Sequence, residues 1–244
     1  MKDNFSRQSG AYAKFRPVYP PELYQFIFGQ LTHFDRAWDC GTGNGQVAAA
    51  LATRFGDVEA TDISAQQLER AVRKPNIHYS CQAAETADFP ADHFDLITVG
   101  QAIHWFDHDR FYPKVQEVLK TGGVLAEFGY RLFRSTPAIN EVIDHFYQEI
   151  IGPYWDEERR HIDDGYARIP FPLEPIPAPV LFMEYRWTWD ELLGYLSTWS
   201  SVQHYLRQRK TDPVALIRAE LEKAWAGADH RGIRFEILLR IGRK

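Results

Sequence analysis

Cysteine is scarce in this chain: Cys40 and Cys81 are the only 2 among 244 residues. That excludes a disulfide framework, and neither cysteine sits in a metal-type pair. A reducing, cytoplasmic setting is the simple expectation. Positive charge is also in short supply, with 28 Lys and Arg against 33 Asp and Glu, a net charge of −5. A sequence-independent grip on nucleic acid needs a basic face, so no nucleic-acid partner is expected. No apolar run approaches the roughly 18 residues that span a bilayer. No apolar signal-peptide core follows Met1–Arg7, so no membrane partner is expected. Internal repeats, low-complexity tracts and flexible linkers are missing too. Aromatic residues, by contrast, are plentiful at 14%, with seven Trp, and many fall after residue 130. The share of hydrophobic residues (45%) and charged residues (25%) is that of an ordinary globular protein, which excludes disorder or coiled coil for the whole. The length suits one large domain, or one with an inserted cap.

Strands and helices alternate through the first half. Leu23, Phe26, Ile27 and Leu31 form one helical stripe behind Pro20 and Pro21. Residues 37–40 read as a short strand, and Val47, Leu51 and Phe55 as a helix. Residues 58–62 make a second strand, and Ser64 with Gln67 opens a helix to about 73 in a capping-box pattern. Strands follow at 77–81 and 94–99, the latter apolar enough to be buried on both faces. Phe111, Val115, Val118 and Leu119 mark a helix expected to stop at Gly122-Gly123, before a strand at 124–130. This order predicts an α/β fold with a parallel, doubly wound sheet, its ligands at the carboxyl ends of the strands. The second half predicts a helix through Ile139–Ile150, a Pro- and aromatic-rich stretch at 152–180, and a strand at 180–187. Two or three helices around 189–199, 201–209 and 212–226 follow, then an alternating strand at 232–241. Residues 1–130 are thus expected to form a nucleotide-binding core, and 131–244 a helical and aromatic cap plus two further strands of the same sheet.

The strongest local signal is Asp39-Cys40-Gly41-Thr42-Gly43-Asn44-Gly45, between a strand and a helix. Glycines there let the backbone turn tightly and approach a ligand. A dinucleotide GxGxxG motif would need glycine at 46, where Gln stands, and the GK[ST] ending of a P-loop is absent. Asp62 ends the second strand 62 − 41 = 21 residues after the first glycine. An acid there accepts ribose hydroxyls, in NAD and S-adenosylmethionine proteins alike.

These residues, with Ala83-Ala84-Glu85, Phe94-Asp95-Leu96-Ile97-Thr98-Val99 and Leu119-Lys120-Thr121-Gly122-Gly123, resemble class I S-adenosylmethionine-dependent methyltransferases of the type 11 group. Thr121 stands where that family has proline. Tyr12-Ala13-Lys14-Phe15-Arg16-Pro17, Gln101-Ala102-Ile103-His104-Trp105-Phe106-Asp107 and Thr198-Trp199-Ser200 look like the trans-aconitate methyltransferase-like subgroup. The resemblance implies a seven-stranded sheet of order 3-2-1-4-5-7-6 with the last strand antiparallel. It implies S-adenosylmethionine as cofactor and S-adenosylhomocysteine as product. Gly41 and Gly43 would pass under the methionine part, Asp39 would face its ammonium, and Asp62 would hold the ribose. Ile63 and Gln67 would flank the adenine, Ala84 and Glu85 would lie at its edge, and Gln101 would sit at the methionine end. Tyr12 and Arg16 would close over the cofactor, Arg16 either on its carboxylate or in a surface ion pair.

His104, just past the fourth strand, is the candidate general base, or else part of the pocket wall. Trp105, Tyr130, Tyr166 and Trp199, with Tyr147, Tyr154, Trp155 and His204, are candidates to line an acceptor pocket. Arg131, Arg134 and Arg186 are either ligands for an acidic substrate or solvated surface charges. No metal is expected, since His104 and His108 lack further ligands at suitable spacing. The expected activity is methylation of a small molecule on oxygen, with a carboxylate among the acceptors considered, by a monomer or homodimer. The alternatives are a methyltransferase acting on nucleic acid or protein, and a catalytically silent cofactor-binding protein.

Overall fold

Alternation along the central strands decides which layer each residue joins. Ala37, Leu96, Val124 and Ala126 pack on one face of the sheet, while Trp38, Ile97, Val99 and Leu125 pack on the other. Both faces are therefore apolar and both are covered, as a parallel sheet requires. The computed structural model describes residues 15–244. Its first elements are α1 (Pro21–Phe28), β1 (Arg36–Cys40), α2 (Gln46–Leu51), β2 (Asp57–Asp62), α3 (Ala65–Glu69) and β3 (Ile77–Cys81). Then come β4 (Phe94–Gly100), α4 (His108–Val118), β5 (Leu119–Tyr130), α5 (Pro137–His145) and α6 (Arg160–Asp163). The chain continues through β6 (Glu174–Pro175), β7 (Leu181–Trp187), α7 (Trp189–Ser197), α8 (Ser200–Arg209), α9 (Val214–Trp225) and β8 (Arg231–Arg243).

The sheet runs β3-β2-β1-β4-β5-β8, and both β6 and β7 pair with the outer side of β8. The first five strands are parallel and β8 is antiparallel to β5. The expected order therefore holds, with β7 and β8 in the places given to strands six and seven. The addition is β6, two residues paired with Gly242 and Arg243, a length that carries no alternation to read. The glycine pair is also placed differently. Helix α4 ends at Val118, and Gly122 and Gly123 lie within β5, where the Gly122 N–H donates to the Lys244 carbonyl at 2.9 Å.

Helix α9 packs on α5 and α7, and their buried apolar residues join one core with Leu23, Ile27, Val47 and Leu51 of the first half. Among the described residues, no helix is long and apolar enough to cross a membrane.

Candidate functional site

The loops after β1, β2 and β4 and the end of β5 surround a cavity of about 180 Å³ at the carboxyl edge of the sheet. Adjacent strands are about 4.8 Å apart, so the three steps from β2 to β5 span roughly 14 Å. The two ends of the cavity are built differently.

Asp62 dominates the β2 end. Its Oδ2 accepts the Gly43 N–H and its Oδ1 the Ser64 N–H, each at 2.8 Å. The carboxylate thus ties the glycine loop to the start of α3, where Ser64 caps the helix by accepting the Gln67 N–H at 3.3 Å. Gly41 (φ 65°) and Gly43 (φ 55°) hold the left-handed conformation that glycine permits. A Cβ at Gly41 would press to 2.7 Å from that of Ala102, whereas at Gly43 it would meet open space. Gly41, Gly43, Asp62, Ile63 and Gln67 all line the cavity.

Asp39 stands behind that wall. It is 1% exposed and accepts from Thr42 Oγ1 (2.5 Å), Thr98 Oγ1 (2.8 Å) and the Ala48 N–H (3.1 Å), bracing the loop from within. Burial is the largest influence on it and, despite these donors, raises its pKa to about 6. A raised carboxylate pKa means that the native state holds the proton more tightly than the unfolded chain. Its stabilising contribution is full below about pH 4 and is lost as pH climbs through 6. Asp39→Asn removes that titration. We expect the stability of the native chain relative to the variant to fall by roughly 3 kcal/mol over that window. Urea midpoints of both proteins at intervals from pH 4 to 7.5 check this, and parallel curves would refute it.

The β4 and β5 end is aromatic. Gln101 takes a positive φ of 54°, uncommon for a residue with a side chain. It is held there by its N–H on the Phe128 carbonyl (2.7 Å) and by its Oε1, which accepts the Tyr130 N–H (2.9 Å). The next turn, Ile103–Trp105, carries His104, whose Nδ1 is buried with no hydrogen-bond partner among the described residues. Burial, then the positive charge of Arg159, lowers the His104 pKa well below the usual imidazole value. Burial therefore disfavours the protonated form of the ring. Trp105, Tyr130 and Trp199 join it in the wall. Arg16 also reaches the cavity, with Nη1 donating to Tyr130 Oη (3.0 Å) and Nη2 to the Thr198 carbonyl (3.2 Å).

Several expected residues are placed elsewhere. Tyr166 is fully buried behind β5, with its hydroxyl against Gly129 and the Arg240 guanidinium 5.6 Å from its ring centre. Ala84 is buried in a short turn, and Glu85 accepts the Asp107 N–H at 2.9 Å; neither lines the cavity. Tyr12 lies outside the described residues. Arg131 and Arg134 face away and pair with Glu236 (3.4 Å) and Asp144 (2.6 Å), while Arg186 is exposed on β7. Tyr147 supports the wall from behind, and His204 Nδ1 lies 2.9 Å from the Tyr154 carbonyl. The sequence reading missed Asp156, Arg159 and Ile162, which complete the wall beside Trp155. Only the aromatic richness of 152–180 pointed to that stretch.

Residues 38–126 match the family described as a methyltransferase domain. A Dictyostelium discoideum protein named as a methyltransferase is 33% identical over 231 residues, spanning 93% of this chain and 88% of its own. The structure described as a type II methyltransferase of Anaeromyxobacter dehalogenans superposes with a TM-score of 0.87 at 36% identity, over 94% of this chain and 98% of that one. Phosphoethanolamine N-methyltransferase 2 of Haemonchus contortus, solved with S-adenosyl-L-methionine, shares the fold at a TM-score of 0.50 and 17% identity, over 98% of this chain and 58% of that one.

Proposed function

The chain belongs to the class I S-adenosylmethionine-dependent methyltransferases, and from that premise we propose that it methylates an oxygen of a small carboxylic acid. S-adenosylmethionine, when bound, supplies a methyl group already activated by the sulfonium. The protein's part is then to bind, orient and exclude water. The residues present fit that cofactor. Gly43 has open space where a side chain would stand, and the oriented Asp62 carboxylate borders the cavity. In this reading Asp62 accepts the ribose hydroxyls and Ile63 and Gln67 flank the adenine. Gly41, Gly43 and Gln101 serve the methionine end with Arg16. Asp39, Ala84 and Glu85 shape these walls from behind.

The acceptor assignment is carried by His104. A hydroxyl or amine acceptor must lose a proton, and a useful base has a pKa near the working pH. His104 is pushed well below that range, and among the described residues no acid bonds its buried Nδ1 to orient it. A carboxylic acid is ionised at neutral pH and needs no base. The aromatic wall of Tyr130, Trp155 and Trp199 supports a small acceptor over a polymer. We read residues 131–244 as a cap continuous with the sheet of the core. The reading includes a monomer or homodimer in the cytoplasm, the latter supported by two unpaired cysteines.

The test is incubation with S-adenosylmethionine and a panel of small acids, each beside its matched alcohol and amine. We expect S-adenosylhomocysteine with the acids alone, and products that release methanol in mild alkali. Turnover with the alcohols or amines and none with the acids would overturn the reading.

A further inference from the structure

One cation in the cavity wall has more donors than the described residues use. Arg159 ends the short turn Glu157–Arg159, directly before α6, and this turn packs against the turn that carries His104. Its Nε donates to Tyr147 Oη at 3.0 Å, and that hydroxyl donates onward to Asp163 Oδ1 at 2.7 Å. The guanidinium lies 4.9 Å from the Trp155 ring centre and 5.7 Å from that of Tyr147. One edge is therefore tethered and the plane is held by aromatic rings. Neither Nη donates a hydrogen bond to any described residue, although the side chain is only 18% exposed. The nearest carboxylate, Asp163, is 3.9 Å from Nε on the tethered side and is nearly half exposed, at 47%.

A buried guanidinium with an open, oriented edge is suited to a planar anion, because two parallel N–H bonds match two carboxylate oxygens. Other charged groups on the wall are already engaged. Arg16 donates to Tyr130 and Thr198, Asp62 holds Gly43 and Ser64, and Asp156 lies 4.0 Å from His204 Nδ1. Burial disfavours a positive charge on His104. Arg159 also stands with His104 at the β4 and β5 end, away from Asp62.

We infer that Arg159 is the anion receptor of the acceptor half of the cavity, binding a carboxylate of the acceptor through Nη1 and Nη2. This rests on the methyltransferase reading of the cavity. It makes Arg159 a specificity-determining residue that favours acids over amides and amines. The methionine carboxylate of the cofactor offers the same chemistry, so the experiment separates the two sources.

Calorimetry first measures S-adenosylhomocysteine binding to the native chain, Arg159→Met and Arg159→Lys. Each protein, saturated with S-adenosylhomocysteine, is then titrated with acetate, benzoate and phenylacetate and with their three amides. We expect at least one acid to bind the native chain tenfold or more tightly than its amide. Arg159→Met should weaken that acid at least tenfold, Arg159→Lys should weaken it less, and S-adenosylhomocysteine affinity should stay within twofold in both. Acids that bind no better than amides, or equally well to Arg159→Met, overturn the inference. So does a large loss of S-adenosylhomocysteine affinity in Arg159→Met, which assigns the guanidinium to the cofactor; retained affinity in Arg159→Lys excludes misfolding of the site. Acids that bind through Arg159 but are never methylated leave this site standing and overturn the proposed reaction instead.

Discussion

Replacing Arg240 with methionine should destabilise the protein by about 3–5 kcal/mol, the cost of leaving a buried charge without its partner. Glu127 is fully buried in the middle of β5. Its Oε2 accepts from both Nε and Nη2 of Arg240, and its Oε1 accepts from Tyr112 Oη at 2.9 Å. Arg240, facing it from β8, also donates Nη1 to the carbonyls of Tyr166 (3.2 Å) and Ile169 (2.6 Å). The substitution therefore leaves the Glu127 carboxylate without its counter-charge, with Tyr112 Oη still donating to it, and removes a donor from each of two carbonyls. Urea denaturation at pH 7 measures the loss. Replacing Glu127 with Leu in the same chain should recover much of it, because an apolar pair of similar volume is often no worse than a buried ion pair. A loss below 1 kcal/mol for Arg240→Met alone would show that water relieves the carboxylate.

Asp62→Ala should raise the dissociation constant for S-adenosylhomocysteine roughly a hundredfold, equivalent to about 2.7 kcal/mol. Charge-assisted hydrogen bonds contribute about 1.5–3 kcal/mol each, and in the proposed site this carboxylate makes them to the ribose. It also holds the Gly43 and Ser64 N–H groups, so its removal loosens the loop that faces the ligand. Asp62→Asn keeps one acceptor oxygen and should fall between the two. Calorimetry decides, with thermal unfolding as a check that the variants remain folded. An unchanged constant in Asp62→Ala would remove Asp62 from the site.

What could be read from the sequence was local. The glycine loop, Asp62 and the capping Ser64 lie within 30 residues of one another, and their roles follow from turn chemistry and strand ends. The alternation in β7 and β8 revealed two half-buried strands, and the family resemblance supplied their order. Long-range packing left no such trace. Arg159 reaches His104 from 159 − 104 = 55 residues away in sequence, and nothing in the spacing joins them. Arg131 and Arg134 looked equally eligible as anion ligands until Glu236 and Asp144 were seen beside them. Gln101 shows no sign of its positive φ, because glutamine has no preference for that conformation; the hydrogen bonds to Phe128 and Tyr130 impose it. Tyr166 was expected in the pocket because aromatics there looked interchangeable. Its neighbours Gly129 and Arg240 hold it behind the strand instead.

The position of β8 has a consequence for how the chain matures. It pairs with β5 on one side and with β6 and β7 on the other, yet it follows all of them in sequence. On the ribosome, β5 must therefore wait for roughly a hundred more residues before its partner is made, a closure over long sequence separation that slows folding. Until then β5 presents an unpaired apolar edge, the kind of template that recruits other chains. Nascent chains stalled before Arg231 should be the aggregation-prone species.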